Sequence, residues 1–207
     1  MPPQNPPPSV FAFTFDPSLQ PFNVSPQTWL TTNDKHFAGL AVAAVVFDDK
    51  DRVLLVQRAA HDSMPNKWEV PGGAADQDGD TLLGGAAREL WEEAGLIATR
   101  FTRIVPQPAV APDEGAVTSP APAYPDHPGS VFSNRSGSKI MVRFAFQAEV
   151  ESCAPVVLDP EEHQDYVWAT EAEVRAGVTT DGRLIPATVP ATRAFILEAF
   201  RLRGASN

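Results

Sequence analysis

The chain has little of what marks several large classes of protein. Its 207 residues include one cysteine, Cys153, so no disulfide can form within the chain, and we expect Cys153 to pack or to lie at the surface. No apolar run approaches the length of about 18 residues that a membrane span requires. The first five residues, MPPQN, lack the basic start and apolar run of a secretory signal. We therefore expect a cytoplasmic, reduced protein with no membrane partner.

Basic residues are also scarce. Lys and Arg total 16 against 26 Asp and Glu, which gives a formal net charge of −10 at pH 7. A protein that binds the phosphate backbone of a nucleic-acid duplex needs a basic surface, so we expect no such partner. Small phosphorylated substrates stay compatible with this charge, because a bound metal ion can supply local positive charge.

Two catalytic signatures are missing as well. The chain has neither the glycine fingerprint of a dinucleotide-binding fold nor the serine elbow of many acyl-transfer enzymes. Hydride transfer and acyl transfer therefore have no visible residues. Hydrophobic residues make up 43% of the chain and charged residues 20%. With 207 residues, the chain is long enough for one domain with a substantial core.

The chain is organised around residues 68–96, WEVPGGAADQDGDTLLGGAARELWEEAGL. Its first half is a turn signal with two glycines, and its second half predicts a helix over 82–94. Thr81 or Asp80 is a suitable N-cap, because a short side-chain oxygen there can accept the free N–H groups of the first turn. Gly95 is the natural end of the helix, since glycine readily takes the left-handed conformation.

Helical geometry divides this segment into two faces. Glu89, Glu92 and Glu93 fall within an arc of about 100°, and such neighbouring carboxylates repel one another. A hard divalent cation would turn that repulsion into attraction, and Arg88, four residues before Glu92, could orient one carboxylate. The stripe that we expect to be buried contains Leu83, Ala86, Ala87, Leu90 and Ala94.

A solvated acidic face is the simpler interpretation of these glutamates. Two features favour a ligand site instead. The helix carries adjacent glycines, Gly84 and Gly85, each of which costs up to about 1 kcal/mol relative to alanine. In addition, a Gly-Gly turn directly precedes the helix, where backbone can approach a ligand closely.

These residues resemble the Nudix box of Nudix hydrolases, whose pattern is G-x5-E-x7-R-E-U-x-E-E-x-G-U, with U a bulky aliphatic residue. The segments Arg88-Glu89-Leu90, Glu92-Glu93 and Gly95-Leu96 match its second half at every fixed position. Residues 68–73 look like the usual lead-in to the box.

The first half departs from the pattern. Asp80 stands at the position of the first glutamate, and we expect it to cap the helix rather than to bind metal. Strict spacing places Ala74 at the position of the box glycine, which we interpret as a one-residue insertion after Gly73.

The resemblance implies an α+β fold, a Nudix-type α/β/α sandwich with a mixed β-sheet. We expect a flexible Pro-rich N-terminus at 1–9 and a single domain over 10–205. That domain would include an N-terminal arm at 10–38 and a loop insertion at 106–138 that is rich in Pro, Ala, Gly and Ser.

The resemblance also implies a metal site. Glu89, Glu92 and Glu93 would hold Mg²⁺, with Mn²⁺ as a substitute, and the backbone carbonyl of Gly72 would be a further ligand. Arg88 would orient the glutamates. The general base varies within the family, so it could be one of these glutamates or a residue outside the box. Glu161 and Glu162 are the outside candidates, and we assign catalytic roles to Glu92, Glu93, Arg88 and Glu162.

Three further residues are candidates for contact with the substrate. Arg58 lies at the end of a predicted strand, where the family often has a basic residue that meets phosphates; a surface salt bridge is its alternative role. Trp68 could stack on the substrate or pack in the core. Gly73 could let the substrate approach the backbone closely.

The rest of the chain alternates between strand and helix signals. Phe11, Phe13 and Phe15 lie on one side of a predicted strand, and this arm could either pack on the domain or close a substrate pocket. Pro17, Pro21 and Pro26 are expected to break regular structure. We predict a hairpin of strands 40–47 and 52–58 and further strands at 98–105, 139–150 and 166–168. A capping box formed by Thr170 and Glu173 predicts the start of a short helix. We predict a last helix at 190–203, whose inward residues are Phe195, Ile196, Ala199 and Phe200.

The expected function is therefore Mg²⁺-dependent hydrolysis of a phosphoanhydride bond in a small nucleoside-diphosphate-linked or other organic diphosphate. One alternative is a phosphohydrolase or isomerase of a biosynthetic diphosphate such as a prenyl diphosphate, with an apolar pocket built by the arm and the 106–138 loop. Another is a non-catalytic sensor of a nucleotide-like ligand. Contact residues in the loop could be Tyr124, His127, Phe132 and Arg135, and no pattern specifies an oligomeric state.

Overall fold

The structure, a computed structural model, describes residues 11–75, 80–108, 127–133 and 136–205. Among these residues, no helix combines the length and the apolar character needed to cross a membrane. The elements in chain order are β1 (Thr14–Phe15), a 3-10 helix (Pro17–Phe22), α1 (Pro26–Thr32), β2 (Gly39–Val46), β3 (Val53–Arg58), β4 (Trp68–Glu69), α2 (Leu82–Ala94), β5 (Ala98–Val105), β6 (Ser130–Ser133), β7 (Ile140–Val150), β8 (His163–Ala169), α3 (Glu171–Ala176) and α4 (Pro190–Gly204).

The strands form two sheets. The larger sheet has the order β1-β5-β7-β2, with β6 also paired to β7. It is mixed, because β1 runs parallel to β5 and β2 parallel to β7, whereas β5 and β6 run antiparallel to β7. The smaller sheet is antiparallel, with the order β4-β3-β8.

Side chains of β2 alternate between two hydrophobic cores, as the two-residue period of a strand requires. Val42 and Ala44 pack in the core that contains α2 and the N-terminal arm. Ala43 and Val45 pack in the core that contains Phe195 of α4. The larger sheet therefore lies between helices, and the predicted α+β sandwich with a mixed sheet is confirmed.

Helix α2 has the predicted boundaries. Thr81 is the N-cap, and its hydroxyl accepts a hydrogen bond from the Gly84 N–H at 3.0 Å. Gly95 ends the helix in the left-handed conformation, with φ of 67°. The predicted stripe is fully buried: Leu83, Ala86, Ala87, Leu90 and Ala94. Local sequence signals at both ends and a regular apolar face thus specify this helix.

The loop before α2 covers one edge of β2. The N–H of Val42 donates to the Gly73 carbonyl at 2.9 Å, and the N–H of Ala44 donates to the Pro71 carbonyl at 2.9 Å. A Cβ atom at Gly72 would lie 2.3 Å from the Val42 carbonyl oxygen, so the two backbones are too close for any side chain there. This pairing fixes the Gly72-Gly73 backbone beside α2.

The predicted hairpin of the 40–47 and 52–58 strands is wrong in its pairing. The turn forms, because the Asp48 carboxylate accepts hydrogen bonds from the backbone N–H groups of Lys50 and Arg52. Beyond one bridge between Phe47 and Val53, however, β2 and β3 separate into different sheets. β2 pairs with β7 instead, a choice between distant segments that the local sequence does not reveal.

The N-terminal arm is more helical than expected. The strand predicted from alternating phenylalanines is reduced to two residues, and Pro17 and Pro26 lie in the first turns of helices rather than preventing them. Proline suits the first turn, where its missing N–H would have no intrahelical partner. The apolar residues predicted to pack this arm on the domain do so: Phe22, Val24, Trp29 and Leu30.

The C-terminal elements follow the prediction. Thr170 and Glu173 form a reciprocal capping box at the start of α3. α4 buries its predicted apolar residues Phe195, Ile196, Ala199 and Phe200. Cys153 is partly buried, with its Sγ 3.9 Å from the Phe47 carbonyl oxygen.

Replacement of Gly72 by alanine tests the close approach to β2. Because the new methyl group would overlap backbone that cannot move independently, we expect Gly72→Ala to lower the free energy of unfolding by about 2 to 3 kcal/mol in urea denaturation. Gly204→Ala is the control, because no atom lies within 4 Å of a Cβ there, and it should be neutral or mildly stabilising. Equal effects of the two changes would contradict this packing.

Glu173 gives a second test, at the capping box. Its carboxylate accepts hydrogen bonds from the N–H and hydroxyl of Thr170 and from those of Thr180. These bonds, led by the Thr170 N–H, lower the pKa of Glu173 to about 2. Glu173→Ala should lower the free energy of unfolding at neutral pH by about 2 kcal/mol.

The sign of the pH dependence follows from this lowered pKa. The wild-type advantage over Glu173→Ala should be complete above the ordinary pKa of 4.5 and should disappear as pH falls towards about 2. Glu171→Gln is the control, because within the described ranges Glu171 pairs only with the exposed Arg175. A constant difference between wild type and Glu173→Ala across this range would contradict the assignment.

Candidate active site

An open cleft of about 500 Å³ lies where the loop after β3, the Gly72-Gly73 segment, α2 and the start of β8 meet. Carboxylates dominate its walls. The lining residues are Arg58, His61, Asp62, Gly72, Gly73, Ala74, Glu89, Glu93, Glu161, Glu162 and His163. The cleft thus joins the predicted box glutamates to the predicted outside carboxylates.

Arg88 binds several groups at the acidic end of α2. Its Nη1 donates to Glu89 Oε1 at 2.8 Å and to Glu92 Oε2 at 2.6 Å. Its Nη2 donates to the Ala74 carbonyl at 3.0 Å, and its Nε donates to Asp80 Oδ2 at 3.1 Å. The planar guanidinium therefore fixes two glutamates relative to the loop before the helix.

Asp80 does not have the capping role that we expected. Thr81 caps α2, and the Asp80 carboxylate faces the guanidinium of Arg88 instead. The residue at the divergent position of the box thus binds the arginine that orients the neighbouring glutamates. Residues 76–79, in the loop where we expected a one-residue insertion, lie outside the described part of the chain.

Glu93 is a carboxylate buried among other carboxylates. It is 5% exposed, and its Oε2 accepts a hydrogen bond from the Gly72 N–H at 2.8 Å. Burial raises the pKa of Glu93 well above its usual value, against the effect of the Gly72 N–H, and the charges of Glu89, Glu69 and Glu162 raise it further. Negative charge at Glu93 is therefore unfavourable unless a nearby positive charge compensates for it.

Glu89 lies beside Glu93 on the same helix face and is 8% exposed. Burial raises the pKa of Glu89, although the Arg88 guanidinium acts in the opposite direction. A Cβ atom at Gly73 would lie 2.6 Å from Glu89 Oε2, so only glycine leaves this carboxylate its place. Gly73 thus lines the cleft and makes room for a site residue.

His163 is a site residue to which the sequence analysis gave no role. His163, Glu93 and Glu162 each offer one ligand atom, and these atoms all lie within 4.8 Å of one another. His163 is 2% exposed, and neither ring nitrogen has a hydrogen-bond partner within the described part of the chain. Burial lowers the pKa of His163 to about 4, and the charge of Arg58 adds to this effect. The available signal was its position next to Glu162, at the start of β8.

Arg58 lines the cleft but is already paired. Its guanidinium binds the carboxylates of Glu69 and Asp62, and its Nε donates to the Ser63 carbonyl at 2.7 Å. The salt-bridge alternative is therefore present in the structure. Its predicted contact with substrate phosphates stays a prediction.

Trp68 takes the packing alternative and is not among the residues that line the cleft. Trp68 is 1% exposed and packs in the core that contains α4. Its backbone N–H donates to the Pro186 carbonyl at 2.9 Å, so β4 is covered on this side. The packing alternative holds because a large aromatic residue at this point fills the interior rather than the cleft.

Glu92 is more exposed than the other two box glutamates. Its side chain is 41% exposed and bonded to Arg88, and it is not among the residues that line the cleft. Its role as a metal ligand, like the role of the Gly72 carbonyl, stays a prediction.

The aromatic residues of the arm and of the 106–138 loop do not build an apolar pocket in the described part of the chain. Phe13 packs edge-on against Phe101 with ring centroids 5.1 Å apart, and Phe11 contacts Trp91. None of the described arm residues lines the cleft.

The candidate contact residues of the 106–138 loop do not line the cleft where the structure describes them. His127 packs against Trp29 and Phe37, whereas Phe132 is exposed on β6. Tyr124 and Arg135 lie outside the described residues.

The burial of Glu93 predicts that its negative charge lowers the stability of the metal-free protein. Glu93→Gln keeps an acceptor for the Gly72 N–H but removes the charge. A raised folded-state pKa means that the wild type loses stability as pH rises through that value. Without metal, Glu93→Gln should therefore be more stable than wild type at neutral pH, by about 1 kcal/mol or more.

Urea denaturation across pH measures this difference. It should shrink as pH falls towards the ordinary glutamate pKa of 4.5, where both proteins are uncharged at this position. A Glu93→Gln protein that is less stable than wild type at neutral pH would contradict the account of Glu93.

A sequence model of the NUDIX domain family matches residues 38–188, most of the chain. The chain therefore belongs to the NUDIX family. The match contains the whole cleft described above, from Arg58 to His163.

Individual relatives match shorter segments. The chain is 43% identical over 58 residues to the m7GpppN-mRNA hydrolase NUDT17 of Bos taurus, which covers 28% of this chain and 19% of that protein. It is 38% identical over 71 residues to an ADP-ribose pyrophosphatase of Mycobacterium tuberculosis, which covers 34% of this chain and 33% of that protein. The matched segments thus span about a fifth to a third of these curated relatives.

Solved structures share the fold over a larger part of the chain. A MutT protein from Methanosarcina mazei Go1 matches with a TM-score of 0.55 and 22% identity, covering 80% of this chain and 94% of that one. An Ap4A hydrolase from C. elegans matches with a TM-score of 0.55 and 16% identity, covering 81% and 99%. At these identities the likeness concerns the fold alone.

Proposed function

We propose that this protein is a divalent-cation-dependent hydrolase of a phosphoanhydride bond in a small organic diphosphate, such as a nucleoside-diphosphate-linked compound. One observation carries the proposal: Glu89, Glu93 and Glu162 line a single cleft, which Gly72 and Gly73 also line. The relatives described above support it, because two of them are named as a hydrolase and a pyrophosphatase.

The carboxylates present in the cleft fit Mg²⁺ or Mn²⁺. Both are hard cations that prefer oxygen ligands, and Glu93 is buried beside other carboxylates that disfavour its charged form. Glu89, Glu92 and Glu93 would hold the ion, with the Gly72 carbonyl as a further ligand. When bound, such an ion neutralises diphosphate oxygens and lowers the pKa of a coordinated water molecule.

The chain's own residues would position the reactants. Arg88 holds Glu89 and Glu92 in place by donating one hydrogen bond to each carboxylate. Glu162, exposed at the edge of the cleft, would accept the proton of the attacking water molecule. Arg58, held by Glu69 and Asp62, would present positive charge towards the substrate's phosphates. We further propose that residues 10–205 act as one domain and that the protein works in the cytoplasm.

The direct test measures release of phosphate and pyrophosphate across a panel of diphosphates with Mg²⁺ or Mn²⁺. The panel would include nucleotide sugars, dinucleotides, oxidised nucleotides and prenyl diphosphates. We expect turnover of at least one compound, lost on chelation and reduced at least about 100-fold in Glu93→Gln. Glu171→Gln, an exposed carboxylate on α3, is the matched control. Turnover that survives both chelation and Glu93→Gln would refute the proposal.

A separate comparison assigns the general base. Glu161 and Glu162 are neighbours at the same edge of the cleft, but only Glu162 lies within 4.8 Å of the potential ligand atoms of Glu93 and His163. Glu162→Gln should therefore lower kcat by about 100-fold or more, whereas Glu161→Gln should lower it by less than about ten-fold. The reverse order would move the base to Glu161.

Two other outcomes of the panel would favour the alternative functions. Ligand binding that chelation leaves unchanged, with no turnover of any compound in the panel, would favour the sensor alternative. Phosphate release from prenyl diphosphates alone would favour the biosynthetic alternative.

A further inference from the structure

We propose that His163 is a nitrogen ligand of a divalent cation that it holds together with Glu93 and Glu162, and that this ligand makes the cleft prefer Mn²⁺ to Mg²⁺. The inference rests on the proposed function, because it deepens the metal dependence of the same cleft. It assigns a role to a residue that lies outside the Nudix box.

The first observation is the convergence of three different ligand groups. One atom from each of Glu93, Glu162 and His163 lies within 4.8 Å of the other two. Glu93 comes from α2, whereas His163 begins β8 and Glu162 directly precedes it. The backbone of this loop is held in place, because the His163 N–H donates to the Asp159 carbonyl at 2.8 Å and the Ala59 N–H donates to the Glu162 carbonyl at 2.8 Å.

The second observation is the unsatisfied imidazole. His163 is 2% exposed, yet neither Nδ1 nor Nε2 has a hydrogen-bond partner among the residues that the structure describes. Buried polar groups are nearly always paired, so an unpaired one requires an explanation. A cation in the cleft would supply a partner for one of the two ring nitrogens.

His61 shows what a histidine without this role looks like. It lines the same cleft, but it is exposed, and its Nε2 lies 2.9 Å from the Glu161 carbonyl oxygen. His163 has no such bond in the part of the chain that the structure describes, although it lines the same cleft. The difference points to a ligand rather than to a general preference for histidine at this surface.

The ligand set has a consequence for the choice of metal. One oxygen each from Glu93 and Glu162 and one imidazole nitrogen form a mixed site, which leaves the second oxygen of Glu162 free to accept the proton of the attacking water molecule. Mg²⁺ prefers oxygen ligands and releases its water reluctantly, whereas Mn²⁺, although it also binds oxygen ligands, accepts an imidazole nitrogen more readily than Mg²⁺ does. Removal of the imidazole should therefore weaken Mn²⁺ binding much more than Mg²⁺ binding.

The first experiment looks for the Mn–N bond in the wild-type protein, without substrate. Electron spin echo envelope modulation of the Mn²⁺-loaded full-length chain should show coupling to a nitrogen nucleus. Growth with isotopically labelled histidine should change that coupling. A wild-type spectrum with no histidine nitrogen would overturn the proposal, and this result requires no variant to fold.

The second experiment compares affinities in matched variants. Mn²⁺ and Mg²⁺ binding would be titrated in wild type, His163→Gln and His61→Gln, with circular dichroism to check folding. Loss even of an indirect partner of a ligand costs about 10- to 100-fold in metal affinity, so His163→Gln should lower the ratio of Mn²⁺ to Mg²⁺ affinity at least about ten-fold. His61→Gln should leave the ratio unchanged. An unchanged ratio in folded His163→Gln would overturn the proposal.

These outcomes are independent of catalysis. A protein that hydrolyses diphosphates but shows no histidine nitrogen on Mn²⁺ would refute the role of His163 alone. A protein that shows the nitrogen but turns over no diphosphate would refute the proposed hydrolysis and leave the metal site standing.

Discussion

The burial of two carboxylates next to each other is the constraint on which the site depends. Glu89 and Glu93 are both less than a tenth exposed, and burial raises the pKa of each. Placing such groups together inside a protein is unfavourable unless partners compensate for the lost water. The Gly72 N–H and the Arg88 guanidinium provide part of that compensation. The rest is available to a cation.

The surrounding scaffold is arranged to keep these groups in place. The loop before α2 pairs with the edge of β2, and the absence of side chains at Gly72 and Gly73 lets the loop approach both β2 and Glu89. Arg88 connects the helix to that loop through the Ala74 carbonyl and to Asp80 on its other side. Asp80, which departs from the box pattern, thereby helps to position Arg88 and the glutamates that match the pattern.

Features encoded locally could be predicted from the sequence. Helix α2 has a threonine cap, an apolar stripe and a terminal glycine within one short stretch, and the capping box of α3 is equally local. The box glutamates could be placed on one face of α2 by helical geometry, and the resemblance to the Nudix box supplied their expected role.

Features that depend on distant segments could not be predicted. β2 pairs with β7 rather than with its neighbour β3, and the proximity of His163 to Glu93 exists only once β8 has joined β3. The role of Trp68 stayed open between the core and the substrate, because its sequence position beside the box says nothing about the direction of its side chain. The prolines at 17 and 26 predict breaks in regular structure, but the first turn of a helix accepts proline and the arm uses both in that position.

Thermal unfolding of the metal-free wild-type protein, with and without Mn²⁺ at constant ionic strength, tests the central claim most directly. A cation that binds the crowded carboxylates of the folded state must stabilise that state by mass action. The account predicts that Mn²⁺ raises the midpoint of unfolding in proportion to the logarithm of its concentration. A midpoint that Mn²⁺ leaves unchanged, or that a monovalent salt raises equally, would contradict it.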